Sequence, residues 1–173
     1  MNSLSVYNNY RHLTKTGDIL QWDSDTLLGE GIQLRKGGNI NHTGVVIRLQ
    51  EYEGLERRVF TIEALEDGVV LNLLSKRLES FKGHCYLHSL RPEFDSQRQV
   101  FGERAFSVIG TDYDYPSILK ELFGNAQMNL DKLFCSEFAW YSLTGKVDGE
   151  APDPIEFEEY LSQWFIQPHI QLL

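Results

Sequence analysis

HTGVVIRLQ (residues 42–50) and RVFTIEA (58–64) each alternate with period two on either side of a polar turn. Thr43, Val45, Ile47 and Leu49 take one face of the first segment, and His42, Gly44, Val46 and Arg48 take the other. That is the side-chain alternation of an extended strand. In the second segment Val59, Thr61 and Glu63 oppose Phe60, Ile62 and Ala64. With the polar stretch from Glu51 to Glu56 between them, the two segments make a β-hairpin. Asp67-Gly68, a tight-turn pair, passes the chain to VVLNLL (69–74), the next strand of a meander.

Outward from the hairpin, GDILQW (17–22) is a short strand candidate, and the glycine-bearing passage from Asp23 to Asn41 reads as a loop of the kind that borders sites, with Trp22 at its base. Cys85 to Leu90 is a fourth strand of the meander region, closed by Arg91-Pro92. The rest is helical. Phe101, Ala105, Val108 and Ile109 have helical spacing and end at Gly110, while Pro116 opens SILKELF (117–123) and Gly124 stops it. Phe134, Phe138 and Tyr141 line one side of a helix that ends near Gly145, and Asp153-Pro154 starts the last helix. The fold class is α+β, an antiparallel meander packed against helices.

The chain has 173 residues, no repeat and no long linker, so it is read as one domain over residues 1–173. Sixteen Lys and Arg against 25 Asp and Glu give a net charge of −9, which repels a phosphate backbone or an anionic lipid surface. Nucleic acid is thereby excluded as an expected partner. No run approaches the roughly 18 apolar residues of a membrane span, and MNSLSVYNNYR (1–11) lacks the basic start and apolar stretch of a secretory leader. The expectation is a cytoplasmic protein with reduced thiols and no membrane insertion. The sequence is silent on oligomeric state.

Of the two cysteines, Cys85 sits inside the strand-like HCYLHSL (84–90), where a thiol is a small buried hydrophobe. Cys135 follows the irregular NAQMNLDKLF (125–134) and opens the helix CSEFAWYSL (135–143). Free amide N–H groups and the helix dipole favour a thiolate there and can bind an oxyanion. A thiol nucleophile needs a base, and a base needs a third group to fix its tautomer. His12, His84, His88 and His169 read as ordinary residues, whereas His42 opens a strand at the sheet end. With the hairpin turn centred near Glu53, His42 falls beside Glu63 or Ala64 across the ladder. Glu63 is the one acid in VFTIEAL (59–65), and it needs a partner there. An ion pair to Arg48 or an edge position is the alternative reading of Glu63.

These strings, taken in order, resemble the NlpC-type branch of papain-like cysteine hydrolases: HTGVVI, a following strand with an acid, GTDYDY (110–115) as a G-x-x-Y segment, and FCSEFAWYSL (134–143). The histidine precedes the cysteine, the order of the circularly permuted branch that includes YiiX-like and lecithin-retinol-acyltransferase-like proteins. GDIL, IEA followed by DGV, LRP (90–92), YDY and FCSE are most similar to the YiiX-like pattern, over residues 16–145. The resemblance implies a permuted papain-like fold in which Cys135 is the nucleophile, His42 the general base and acid, and Glu63 the group orienting the imidazole. It also implies that Tyr113 lines the substrate site, with Tyr115 as the other candidate. Ser136-Glu137 departs from the Ser-Gly that often follows the cysteine in unpermuted members, which argues against transferring their substrate.

The implied activity is hydrolysis of a small amide, such as a cell-wall peptide or an amino-acid conjugate, through a thioester. Acyl transfer or lipid-ester hydrolysis on the same fold is the alternative enzyme, and a ligand-binding module without turnover the alternative outside catalysis. No cofactor is expected. Metal spacing is missing, since Cys85 has His84 and His88 beside it but no second cluster. Gly37-Gly38-Asn39 also lacks the Lys-Ser/Thr of a phosphate loop.

Overall fold

The computed structural model describes residues 4–24, 40, 42–65, 68–110, 134–146, 152 and 156–173. The segments with period two are strands: β1 (Ile19–Ser24), β2 (His42–Ile47), β3 (Phe60–Leu65), β4 (Gly68–Leu73) and β5 (Gly83–His88). With a short β6 (Ile170–Gln171) they form a six-stranded antiparallel sheet in the order β4-β3-β2-β1-β5-β6. The expected hairpin and meander are present, and the fourth predicted strand joins the sheet beside β1, on the side away from β4. Around the sheet lie α1 (Ser5–Tyr10), α2 (Leu74–Ser80), α3 (Arg98–Ser107), α4 (Phe134–Thr144) and α5 (Glu156–Trp164).

Strand alternation sorts the core into two layers. Ile19, Val45, Ile47 and Ile62 face Phe101 and Ala105 of α3 and Phe138, Ala139 and Leu143 of α4. On the other face Leu20, Trp22, Val46, Cys85 and Leu87 meet Tyr7 of α1 and Leu74 and Leu78 of α2. β2 is therefore covered on both sides, and every residue from Thr43 to Ile47 is buried, which explains its nearly continuous apolar run. α4 lies across β2 and β3, so its first turn comes to the end of the sheet where His42 begins. Gly145 ends α4 as expected, at φ +71°, with its N–H donating to the Tyr141 carbonyl at 2.7 Å. That left-handed conformation suits glycine.

Three of these elements, α1, α2 and β6, went unread in the sequence. α2 follows β4 without a break, and its Leu74 and Leu78, four residues apart, are buried. α1 is a six-residue helix with one buried side chain, Tyr7. The loop expected over Asp23 to Asn41, the helix over 117–123 and the Asp153-Pro154 start of α5 lie wholly or largely outside the described residues.

A buried carboxylate ties the sheet to α3. Asp18, fully buried just ahead of β1, accepts hydrogen bonds from the Lys15 backbone N–H at 2.8 Å, the Leu90 N–H at 3.1 Å and Arg98 Nη1 at 2.8 Å. Arg98 also donates to the Thr16 and Leu90 carbonyls. Removing one partner of such a pair leaves a charge in the interior. Asp18→Ala is expected to destabilise the fold by about 3 kcal/mol, read from urea denaturation midpoints, and a loss under about 1 kcal/mol contradicts this account of the joint.

Candidate functional site

His42 is the first residue of β2, and Glu63 lies on β3. The ladder is displaced by one residue from a turn centred at Glu53. Gly44 pairs with Glu63 and Val45 with Ile62, so His42 and Glu63 share a face as diagonal neighbours rather than facing each other directly. Cα atoms on such a diagonal are about 7–8 Å apart, within reach of a glutamate that leans along the strand.

Gly44 leaves the path open. A Cβ at that position would sit 2.9 Å from Glu63 Cγ and 2.8 Å from Thr61 Oγ1. With no side chain there, Glu63 reaches across and its Oε2 lies 2.9 Å from His42 Nε2. Glu63 is completely shut off from water. Its second partner comes from α2, where Arg77 Nε donates to Oε1 and Oε2, both at 3.1 Å. The Arg77 guanidinium carbon lies 4.9 Å from the centroid of the Trp22 ring and 5.0 Å from that of Phe81, and those two rings meet edge to face at 4.8 Å.

Two expectations are corrected here. Glu63 pairs with Arg77 and not with Arg48, whose Nη1 and Nη2 donate instead to the Arg11 and Glu56 carbonyls. β3 is an interior strand, so Glu63 is not at an edge. Trp22 is fully buried, opposite His42 across the β1–β2 ladder, and packs against Arg77.

Cys135, the second residue of α4, is buried and unbridged, and it stands near enough to His42 to act on the charge of the imidazole. Burial by itself lowers the imidazole pKa, but the hydrogen bonds to Cys135 and Glu63 and the negative charge on both outweigh it, raising His42 to about 9. Burial likewise pushes Glu63 up, and the His42 hydrogen bond, with the charges of His42 and Arg77, more than reverses that and holds it below the usual carboxylate range. The sequence-derived trio Cys135, His42 and Glu63 is therefore brought together. Tyr113 and Tyr115 lie outside the described residues.

The other thiol and the other imidazoles behave differently. Cys85 is buried in the layer beneath α2, and burial, reinforced by the Glu63 charge, pushes its thiol well above the ordinary value. His84 pairs with Asp23 at 3.3 Å. His88 is fully buried, and burial, then the neighbouring His169 charge, lowers it to about 3, so it stays neutral. A cleft of about 590 Å³ bordered by Lys15, Ile47, Arg48 and Arg98 lies at the opposite end of β2 from His42, and its Lys15 and Arg98 are already ion-paired. One group missed in the sequence is Glu137. It is 4% exposed in the first turn of α4, two residues beyond Cys135, and burial alone raises its carboxyl to about 7.

Among solved structures, the chain is similar to that of the metalloprotein YiiX from Escherichia coli O157:H7, with 21% identity and a TM-score of 0.57 over 76% of this chain and 65% of that one. The fold is YiiX-like. The chain spans somewhat less than two thirds of YiiX. No family model matches, and no curated protein does. Among the described residues of this YiiX-like fold, no group of three His, Cys, Asp or Glu is arranged to hold a metal ion. His42 Nε2 and Glu63 are turned on each other, and Glu63 on Arg77 as well, so their lone pairs do not converge on a common point. The site as described does not fit a metal centre.

Two consequences are measurable. Gly44→Ala is expected to displace Glu63 and break its bond to His42, lowering the His42 pKa from about 9 toward the ordinary imidazole value, as followed by NMR titration, with about 1–3 kcal/mol of destabilisation. An unchanged titration would contradict the role given to Gly44. Glu137 ionises at about 7 in the fold against 4.5 for the free group, so it lowers stability as pH rises through that window and leaves the fold destabilised above it. Glu137→Gln should match the native protein near pH 4 and exceed it by about 2–3 kcal/mol at pH 8. Equal denaturation midpoints at both pH values contradict the assignment.

Proposed function

We propose that this chain is a cysteine-dependent hydrolase of amide bonds on a permuted papain-like fold, with Cys135 as nucleophile, His42 as general base and acid, and Glu63 orienting the imidazole. One observation carries the reading: His42 Nε2 lies 2.9 Å from the buried Glu63 carboxylate, and Cys135 is near enough to raise the pKa of the same imidazole. Three groups of those types in that order form a nucleophile, a base and an orienting anion. The YiiX-like fold is compatible with it, and the chain order, histidine strand before cysteine helix, is that of the permuted branch.

In the proposed mechanism the Cys135 proton passes to His42, which an imidazole of pKa about 9 retains at neutral pH. The thiolate attacks the amide carbonyl carbon, and the carbonyl electron pair moves to oxygen. The Cys135 backbone N–H in the first turn of α4 is the natural donor to that oxyanion. The imidazolium then protonates the leaving nitrogen as the C–N bond breaks and a thioester remains. Water, deprotonated by His42, attacks the thioester, releasing the acid and regenerating the thiol. Substrates in view are small amides of the cell-wall peptide or amino-acid conjugate kind.

Iodoacetamide at pH 6–7 is expected to alkylate Cys135 at least about tenfold faster than Cys85, because a free thiol is roughly 1% ionised there. Mapping the label by mass spectrometry decides the point, and equal slow labelling of the two would refute an activated thiolate. A screen of amide and ester substrates, with trapping of the thioester, should yield an activity that Cys135→Ala reduces at least about 10³-fold and that Cys85→Ala retains.

A further inference from the structure

We propose that Arg77 is a positioning residue for this centre, fixing the Glu63 carboxylate from the side away from His42 and balancing its charge so that the buried line from Glu63 through His42 to Cys135 can hold a separated proton. The inference rests on the proposed triad and adds a fourth member that the sequence did not reveal.

The geometry gives Glu63 little freedom. Its Oε2 is shared between His42 at 2.9 Å and Arg77 at 3.1 Å, and Oε1 is taken by Arg77 at 3.1 Å. Rotation of the carboxylate away from the imidazole would break the Arg77 contacts as well. Arg77 is itself held, since its guanidinium rests on both Trp22 and Phe81, the arrangement in which an arginine gains cation–π attraction when shielded from water. A lysine could supply the charge, but not a flat group that stacks on two rings and donates from its edge.

Charge balance gives the arrangement its chemical meaning. When the proton sits on His42 and the sulfur is a thiolate, the four groups carry +1 on Arg77, −1 on Glu63, +1 on His42 and −1 on Cys135, and they sum to zero. Without Arg77 the same state carries a net negative charge within a buried site, and ionising the thiol becomes harder. The other titratable groups near the line are Cys85 on β5, whose thiol is held protonated, and Glu137 on α4. Both are common to every variant considered below. Lys76 and Glu79 on the outer side of α2 are an exposed pair with each other.

The test is the pH profile of Cys135 alkylation by iodoacetamide in the full chain. Its acidic limb reports formation of the thiolate and its basic limb loss of the His42 proton. In Arg77→Gln both limbs should move to higher pH by on the order of one unit, because loss of a nearby positive charge favours the proton-bound form of both groups. Arg77→Lys should keep the limbs at their native positions and lower the plateau rate. If Arg77→Gln does not fold, the comparison is made between Glu63→Gln and the Glu63→Gln/Arg77→Gln double variant, which leaves no buried carboxylate unpaired. The double variant should again show limbs about one unit higher. Limbs that coincide within each pair, with only stability or plateau altered, reduce Arg77 to a structural ion pair and overturn this inference while leaving the triad standing. A native profile with no fast phase at Cys135 overturns the triad and this inference together.

Discussion

The buried Glu63 carboxylate is the constraint from which the rest of the site follows. An ionised carboxylate in an interior strand, completely shut off from water, costs several kcal/mol unless its oxygens are fully engaged. Each neighbour answers that cost in a different way. Gly44 gives up its side chain so that the carboxylate can cross the ladder, α2 brings a guanidinium N–H to both oxygens, and His42 supplies the third hydrogen bond. Trp22 and Phe81 then wall in the guanidinium. A glutamate placed here only for packing would have no need of this set, since an apolar residue of similar volume would be equal or better in stability.

The sheet lies between the two halves of the site. Arg77, Trp22 and Glu63 belong to the α2 side, with the core of Leu20, Val46 and Leu87, whereas Cys135 stands on α4 beside the layer of Val45, Ile62 and Phe138. A side chain inside the sheet could face only one of these layers. His42 can bridge them because it is the first residue of β2, where the ring reaches past the end of the sheet. Locating His42 at a strand terminus thus links the layer of Glu63 and Arg77 to Cys135 on the opposite face. It also makes the imidazole depend on anchoring from both sides, and its pKa of about 9 expresses both anchors acting against burial.

How much of this was legible in the sequence depends on the range of the signal. Period-two alternation is local, and it located β2 and β3 and assigned Glu63 to a face of its strand. The histidine and the cysteine were picked out by a strand start and a helix start, which are also local features. Register is not local. A turn of several polar residues between 51 and 56 leaves its centre open to a shift of one, and that shift changes His42 and Glu63 from direct partners to diagonal ones and makes Gly44 the residue between them. Arg77 was missed for a related reason. α2 begins where β4 ends, with Leu73 the last residue of one and Leu74 the first of the other, so no turn residue marks the change of period. Leu74 and Leu78 four apart were the available signal, and seven residues are too few to make it stand out.

Net charge of −9 bears on the same point from outside. A surplus of acids spread over the molecule disfavours a second anion at Cys135, although solvent and salt screen exposed charges beyond about 8–10 Å. What acts on the sulfur is the immediate set, and in the proposed ion-pair state that set is balanced: one guanidinium and one imidazolium against one carboxylate and one thiolate. Two buried carboxylates are held in opposite states by their surroundings. Three hydrogen bonds from two donors, with the charges of His42 and Arg77, keep Glu63 anionic, and burial alone raises Glu137 to about 7. The local fields, and not the overall charge, then decide whether Cys135 can ionise.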